Sequence, residues 1–223
     1  GYYAAYPVVA STAMRTRRGG LADFVERLAE LSQQPAVTAL EWVYTALPLL
    51  LLPFFVALWC LLGARGQRAP SALALGLGLL SIGVMALSYT FNPTALHALA
   101  RAYTEANSQA EAAVILSTTS ALLAWMRGLN QLSSLLYQAC VALFSLALIR
   151  SRTWRGWGWL GLAGAILALP AKLSLGLSVP TNAIWTGLAY GVWPLVLGVG
   201  LLRAGSIRES RANPRTGSAT GES

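Results

Sequence analysis

Chemistry in this chain has to come from a few polar side chains set among apolar ones. Lys172, the only lysine, lies within the apolar run from Trp157 to Leu177. A second set, Arg127, Asn130, Gln131, Ser134, Tyr137, Gln138 and Ser145, lies in and just before the run from Leu129 to Ile149. Most of these recur at steps of three or four, which places them in one row along a helix. Polar groups facing hydrocarbon stay unsatisfied, so the row turns toward other helices or toward water. Two uses follow: hydrogen bonding between helices, or the lining of a cavity or permeation path.

Lys172 carries the same kind of choice. Small residues at Gly161, Gly164, Ala165 and Ala168 lead to it at three- and four-residue steps, a pattern that lets helices approach closely. Its amine either snorkels to the headgroups, helped by a bend at Pro170, or joins Arg127 in a shared polar pocket. Two cations there favour an anionic ligand, a lipid headgroup, or a carboxylate such as Glu41 or Glu111. The candidate pocket residues are Arg127, Lys172, Asn130, Gln131, Ser134 and Gln138.

Catalytic and metal-binding patterns are missing. The sequence contains no HExxH, GxSxG or Walker loop, no paired histidines and no pair of intramembrane carboxylates. A non-enzymatic protein without a cofactor is the expectation, with proteolysis and proton-coupled transport disfavoured. His97, the only histidine, reads as part of a solvated helix face with Arg101 and Glu105 at i, i+4 spacing. Cys60 and Cys140 fall in apolar runs and read as small hydrophobes rather than a disulfide.

The elements that must hold these residues follow from composition. Of 223 residues, 56% are hydrophobic and 11% charged, and mean hydropathy is +0.56; a soluble domain carries roughly a quarter charged residues. The chain is therefore read as all-α, a polytopic transmembrane helix bundle. A bilayer core of about 30 Å takes about 20 apolar residues in helix. Five runs serve: 39–62, 71–91, 129–149, 157–177 and 183–202, making 39–203 the bundle. Pro48 and Pro53 interrupt the first, and Gly187 with Gly191 forms a GxxxG step in the fifth.

The net charge of +8 does not point to nucleic acid, because the arginines cluster between apolar runs. Arg65 and Arg68, then Arg150, Arg152 and Arg155, then Arg203, Arg208, Arg211 and Arg215 all fall on one side if the first span runs inward. The positive-inside rule makes that side the cytoplasm, with the C-terminus there, in a plasma (inner) membrane. Trp59, Trp154, Trp157 and Trp159 mark the inner edge; Trp42, Trp125 and Trp185 mark the outer. Trp193 alone falls deep in a span.

Outside the spans, residues 1–38 form an outer N-terminal segment with an amphipathic helix over 21–34, whose apolar face is Leu21, Phe24, Val25 and Leu28. It reads as a cap on the outer ends of the spans or as a partner-binding helix. An outer helical segment covers 93–126, broken from the preceding span at Asn92-Pro93 and bent near Arg127-Gly128 before the third span. Residues 204–223 read as a disordered cytoplasmic tail. The chain opens on Gly1, so a signal peptide or a sixth N-terminal span is expected to precede it.

From Trp42 to Arg203 the span order, the long polar segment after the second span, and the basic turn RSRTWRGWGWLGLAG before a glycine-rich span resemble small uncharacterised bacterial integral membrane proteins, a six-span family of unknown function. The resemblance implies a six-span bundle in the plasma membrane and carries over no functional residue. The functional expectation is an accessory, ligand-sensing or lipid-interacting membrane protein, with a small-molecule or anion transporter as the alternative. Expected partners are membrane lipids and another membrane protein or a second copy, not nucleic acid.

Overall fold

The computed structural model describes residues 20–151, 154–172 and 192–200, with the side chains of 169–172 outside that description. The protein is all-α. Helix α1 covers Leu21–Ser32 and α2 covers Pro35–Ala46, where Pro35 takes the first helical position and loses no bond. A 3-10 turn at Leu47–Leu50 absorbs Pro48, and α3 follows at Leu51–Gly63. Pro53 stands in the first turn of α3, where its missing N–H has no intrahelical partner to lose.

Gly66, with φ of 81°, reverses the chain into α4, Arg68–Thr90. The break expected at Asn92-Pro93 is instead a widening. Asn92–Leu96 forms a π turn, in which the Leu96 N–H donates to the Phe91 carbonyl at 2.9 Å, and the chain continues as α5, His97–Thr104. Pro93 cannot fit a regular α turn, and one extra residue in the turn relieves the clash without ending the helix.

Ser108 caps α6, Gln109–Ile149: its Oγ accepts from the Glu111 N–H, while the Glu111 carboxylate accepts from the Asn107 N–H. The 41 residues of α6 span about 61 Å. Its helical structure passes unbroken through Arg127-Gly128, where a bend was expected. Gly128 has open space at its Cβ position, and α6 packs in one core before it and another after it. Helix α7 covers Arg155–Lys172.

Among the described residues, three helical stretches are long and apolar enough to cross a membrane: Pro35–Gly63, Arg68–Thr104 and Gln109–Ile149. Each extends beyond the span expected from hydropathy, since helix continues past the apolar limits. The expected spans 157–177 and 183–202 lie partly outside the described residues, and the tail 204–223 and the Arg203 to Arg215 cluster lie wholly outside them.

The distribution of side chains across α4 is that of a helix with an apolar exterior. Ser71, Ala74, Gly78, Ser81, Met85 and Ser88 are buried at alternating steps of three and four, while Leu73, Leu80 and Leu87 are exposed. Small residues inside let backbones approach, and leucines outside suit lipid. At Gly78 the approach is closest: a Cβ there would lie 2.8 Å from Phe55 and 3.0 Å from Cys140 Sγ.

Two cores result, both sharing α6. The first joins α3, α4, α6 and α7 around Phe55, Tyr137, Cys140 and Phe144, with the Phe55 and Phe144 rings stacked at 5.9 Å. The second packs Val25, Leu28 and Ala29 of α1 against Val37, Leu96, Ala100 and Met126. Helix α1 therefore caps the bundle with the face expected from its sequence, ending at Ser32 because Pro35 starts a new helix. Cys60 and Cys140 are both free thiols.

Candidate functional site

Helix α6 positions the polar row. At about 100° per residue, Arg127, Gln131, Ser134 and Gln138 all lie within about 40° of the direction of Ser145, and Asn130 within about 60°. Ser145 faces α7, where Gly161 packs directly over its hydroxyl. At the inner end of this seam, a Cβ at Gly158 would lie 2.7 Å from the Ser145 carbonyl and from Ile149. Only glycine admits so close an approach. Buried Gly161, Ala165 and Ala168 mark the packing face of α7, as the small-residue spacing indicates.

Exposure falls along the row. Arg127 and Gln131 are exposed, Asn130 and Ser134 are half-buried, and Gln138 is 2% exposed. Gln138 has no hydrogen-bond partner for either its Nε2 or its Oε1; the Asn130 Nδ2 and the Ser145 Oγ also lack one. A buried amide without partners costs several kcal/mol in an apolar medium, about 2–7 depending on the reference. Such groups in a native interior are suited to an ordered water, an ion or a guest. Lys172 is the last residue of α7, and its side chain lies outside the described residues.

Hydrogen bonding between α4 and α6 involves serines outside the row. Ser81 Oγ donates to the Ser133 carbonyl at 2.8 Å, and Ser133 Oγ donates back to the Ser81 carbonyl at 3.0 Å. Ser88 Oγ donates to the Met126 carbonyl at 3.3 Å. Ser133 is one residue from Ser134 and so about 100° away around α6, on the face toward α4. The signal for these contacts was present in α4, where Ser71, Ala74, Gly78, Ser81, Met85 and Ser88 repeat as a small-residue seam.

The carboxylates considered as partners for Arg127 and Lys172 are engaged elsewhere. Glu111 closes the cap of α6. Glu41 Oε2 lies 3.0 Å from His97 Nε2, and the two side chains are 12% and 2% exposed. His97 is thus buried, not part of a solvated face. Its position on α5 is covered from two directions, by α1 and by α2 with the Glu41 side chain, so the covered arc is wider than one amphipathic stripe. The contact is an ion pair when the imidazole is protonated, and neither facing atom makes an aligned hydrogen bond. Among the described residues, no three His, Cys, Asp or Glu side chains group as metal ligands.

At the opposite end of the bundle, Arg65 Nη1 donates to Ser151 Oγ at 2.8 Å. This bond joins the α3–α4 turn to the α6–α7 turn and gathers Arg65, Arg68, Arg150 and Arg155 at one end, as the charge pattern requires. Trp193 Nε1 donates to the Trp157 carbonyl at 3.2 Å and sits edge-on to Phe54, which gives the deep tryptophan a partner for its only donor.

No family model, no curated protein and no solved structure matches this chain. Functional argument therefore rests on the geometry around α6.

Proposed function

We propose that this chain is a non-enzymatic, multi-pass plasma-membrane protein that holds or senses a ligand in the seam between α6 and α7. The observation that carries this reading is Gln138, buried to 2% exposure with both amide atoms unpartnered. A helix pair selected for packing alone would place an alanine or leucine there, since an apolar residue of the same shape removes the desolvation cost. Five spans, an inward-facing arginine end and a cytoplasmic C-terminus belong to the same proposal. Exposed Trp42 and Trp125 toward the end capped by α1, with exposed Trp59 and Trp159 toward the arginine end, support two headgroup levels.

The test is native mass spectrometry of the protein released from a mild detergent. Wild type should carry a bound molecule that Gln138→Leu loses, with the variant at least as thermally stable as wild type. Identical adducts on both proteins would refute the reading.

Transport along the row is the second reading, and the graded exposure from Gln131 through Ser134 to Gln138 favours it. The row ends, however, where Gly161 closes over Ser145, and a polar track open at one end suits binding better than conduction. Cysteine substitutions at positions 131, 134 and 145 separate the two: transport requires water-borne reagents to reach 145 as well as 131.

A further inference from the structure

Charge separates along the bundle. The carboxylates among the described residues are Asp23, Glu26, Glu30, Glu41, Glu105 and Glu111, carried by α1, α2 and the two sides of the α5–α6 turn. No Asp or Glu occurs in the sequence from 42 to 104 or from 112 to 208. The opposite end, made by the α3–α4 and α6–α7 turns, presents Arg65, Arg68, Arg150 and Arg155, all exposed, with no carboxylate beside them among the described residues.

Two features set this end apart from a solvated charged face. The first is that Arg65 is held in place. Its Nη1 donates to Ser151 Oγ at 2.8 Å, between turns 86 residues apart in the chain. A long side chain fixed in advance loses less freedom when it meets an anion, and the planar guanidinium fork matches a phosphate. Beside it, Gln67 provides no side-chain cap for α4, so the N–H groups of Arg68 and Ala69 have no intrahelical acceptor.

The second feature is the apolar surface that adjoins the arginines. Leu73 on α4, Leu146 on α6, and Trp159 and Leu160 on α7 are each 44% or more exposed. Each lies four or five residues from Arg68, Arg150 or Arg155, which is about 6–8 Å along a helix. Cationic groups at the rim with exposed leucine and tryptophan one turn below match a phospholipid, whose anionic headgroup stands over acyl chains. A free phosphate ion would use the rim alone.

We propose that the two turns form one binding site for an anionic phospholipid, with its phosphate held by Arg65, Arg68, Arg150 and Arg155 and its acyl chains along the apolar surface below them. The site is distinct from the α6–α7 seam, since Arg150 lies about 18 Å along α6 from Gln138, and it does not depend on a ligand there.

The test uses the full chain, stripped of lipid in a maltoside detergent and titrated with phosphatidylglycerol or with phosphatidylethanolamine of the same acyl chains. Bound lipid is counted by native mass spectrometry. Phosphatidylglycerol should bind about tenfold more tightly, and Arg65→Gln should weaken it about fivefold, the effect of one cation beside an anionic lipid. Arg101→Gln removes the same charge from an exposed position on α5 and should leave the affinity unchanged. Ser151→Ala keeps every charge but releases Arg65, and should weaken binding about threefold, as the loss of one hydrogen bond does. Equal affinity for the two lipids, or an effect of Arg101→Gln as large as that of Arg65→Gln, overturns the proposal. So does unchanged affinity in Arg65→Gln or in Ser151→Ala, because a site built across both turns needs that guanidinium and its anchor.

Discussion

His97 Nε2 and Glu41 Oε2 stand 3.0 Å apart between α5 and α2, each buried and neither with another hydrogen-bond partner. This contact ties the capped end of the bundle to the first long apolar helix. Removing one member leaves the other buried and alone, which costs about 1–3 kcal/mol. His97→Ala and Glu41→Ala are each expected to lower stability by that amount in thermal denaturation in detergent. The double variant should lose less than the sum of the two, and strict additivity would show that the pair does not interact.

Adjacent serines should behave differently. Ser133 gives and receives a hydrogen bond with Ser81 across the α4–α6 contact, whereas half-buried Ser134 lies about 100° further around the helix. Interhelical hydrogen bonds in membrane proteins contribute about 0.6 kcal/mol on average, with a maximum of about 1.7. Ser133→Ala should therefore destabilise by about 1 kcal/mol, and Ser134→Ala by less than half of that. Chemical denaturation of the two variants side by side provides the measurement.

Two glycines on α7 offer a second contrast. Gly161 lies against Ser145 and the Trp193 indole, while Gly164 has open space at its Cβ position. Gly161→Ala is expected to cost about 1–3 kcal/mol through overpacking. Gly164→Ala should gain up to about 1 kcal/mol from helix propensity. Equal effects on the melting temperature would contradict the observed packing of α7 on α6.

Cysteine accessibility checks the α3–α4–α6 core. Cys140 is buried against Gly78 and Phe55, and Cys60 is exposed on the outer face of α3. A membrane-permeant maleimide should modify Cys60 alone in the folded protein and both thiols after denaturation. Modification of Cys140 at the rate of Cys60 would place α6 differently.

What the sequence determines by itself here is what depends on length and local composition. Apolar runs long enough to span a bilayer, the apolar face of α1, and the arginines gathered at one end can all be read from neighbouring residues, because helix periodicity and transfer energy are local properties. Ser108 with Glu111 as a cap belongs to the same class. The partner of a given polar atom is not local. Ser133 rather than Ser134 clasps α4 because of how α6 is rotated, and one residue changes that direction by about 100°. His97 is buried because two helices from different parts of the chain converge on α5, a coverage that no single stripe records. The continuity of α6 through Gly128 was likewise a tertiary outcome, since packing at both ends supports helix through a point where hydropathy divides it in two. The unpartnered amide of Gln138 became visible only once α7 was seated beside it, because a missing hydrogen bond is a property of everything that surrounds an atom.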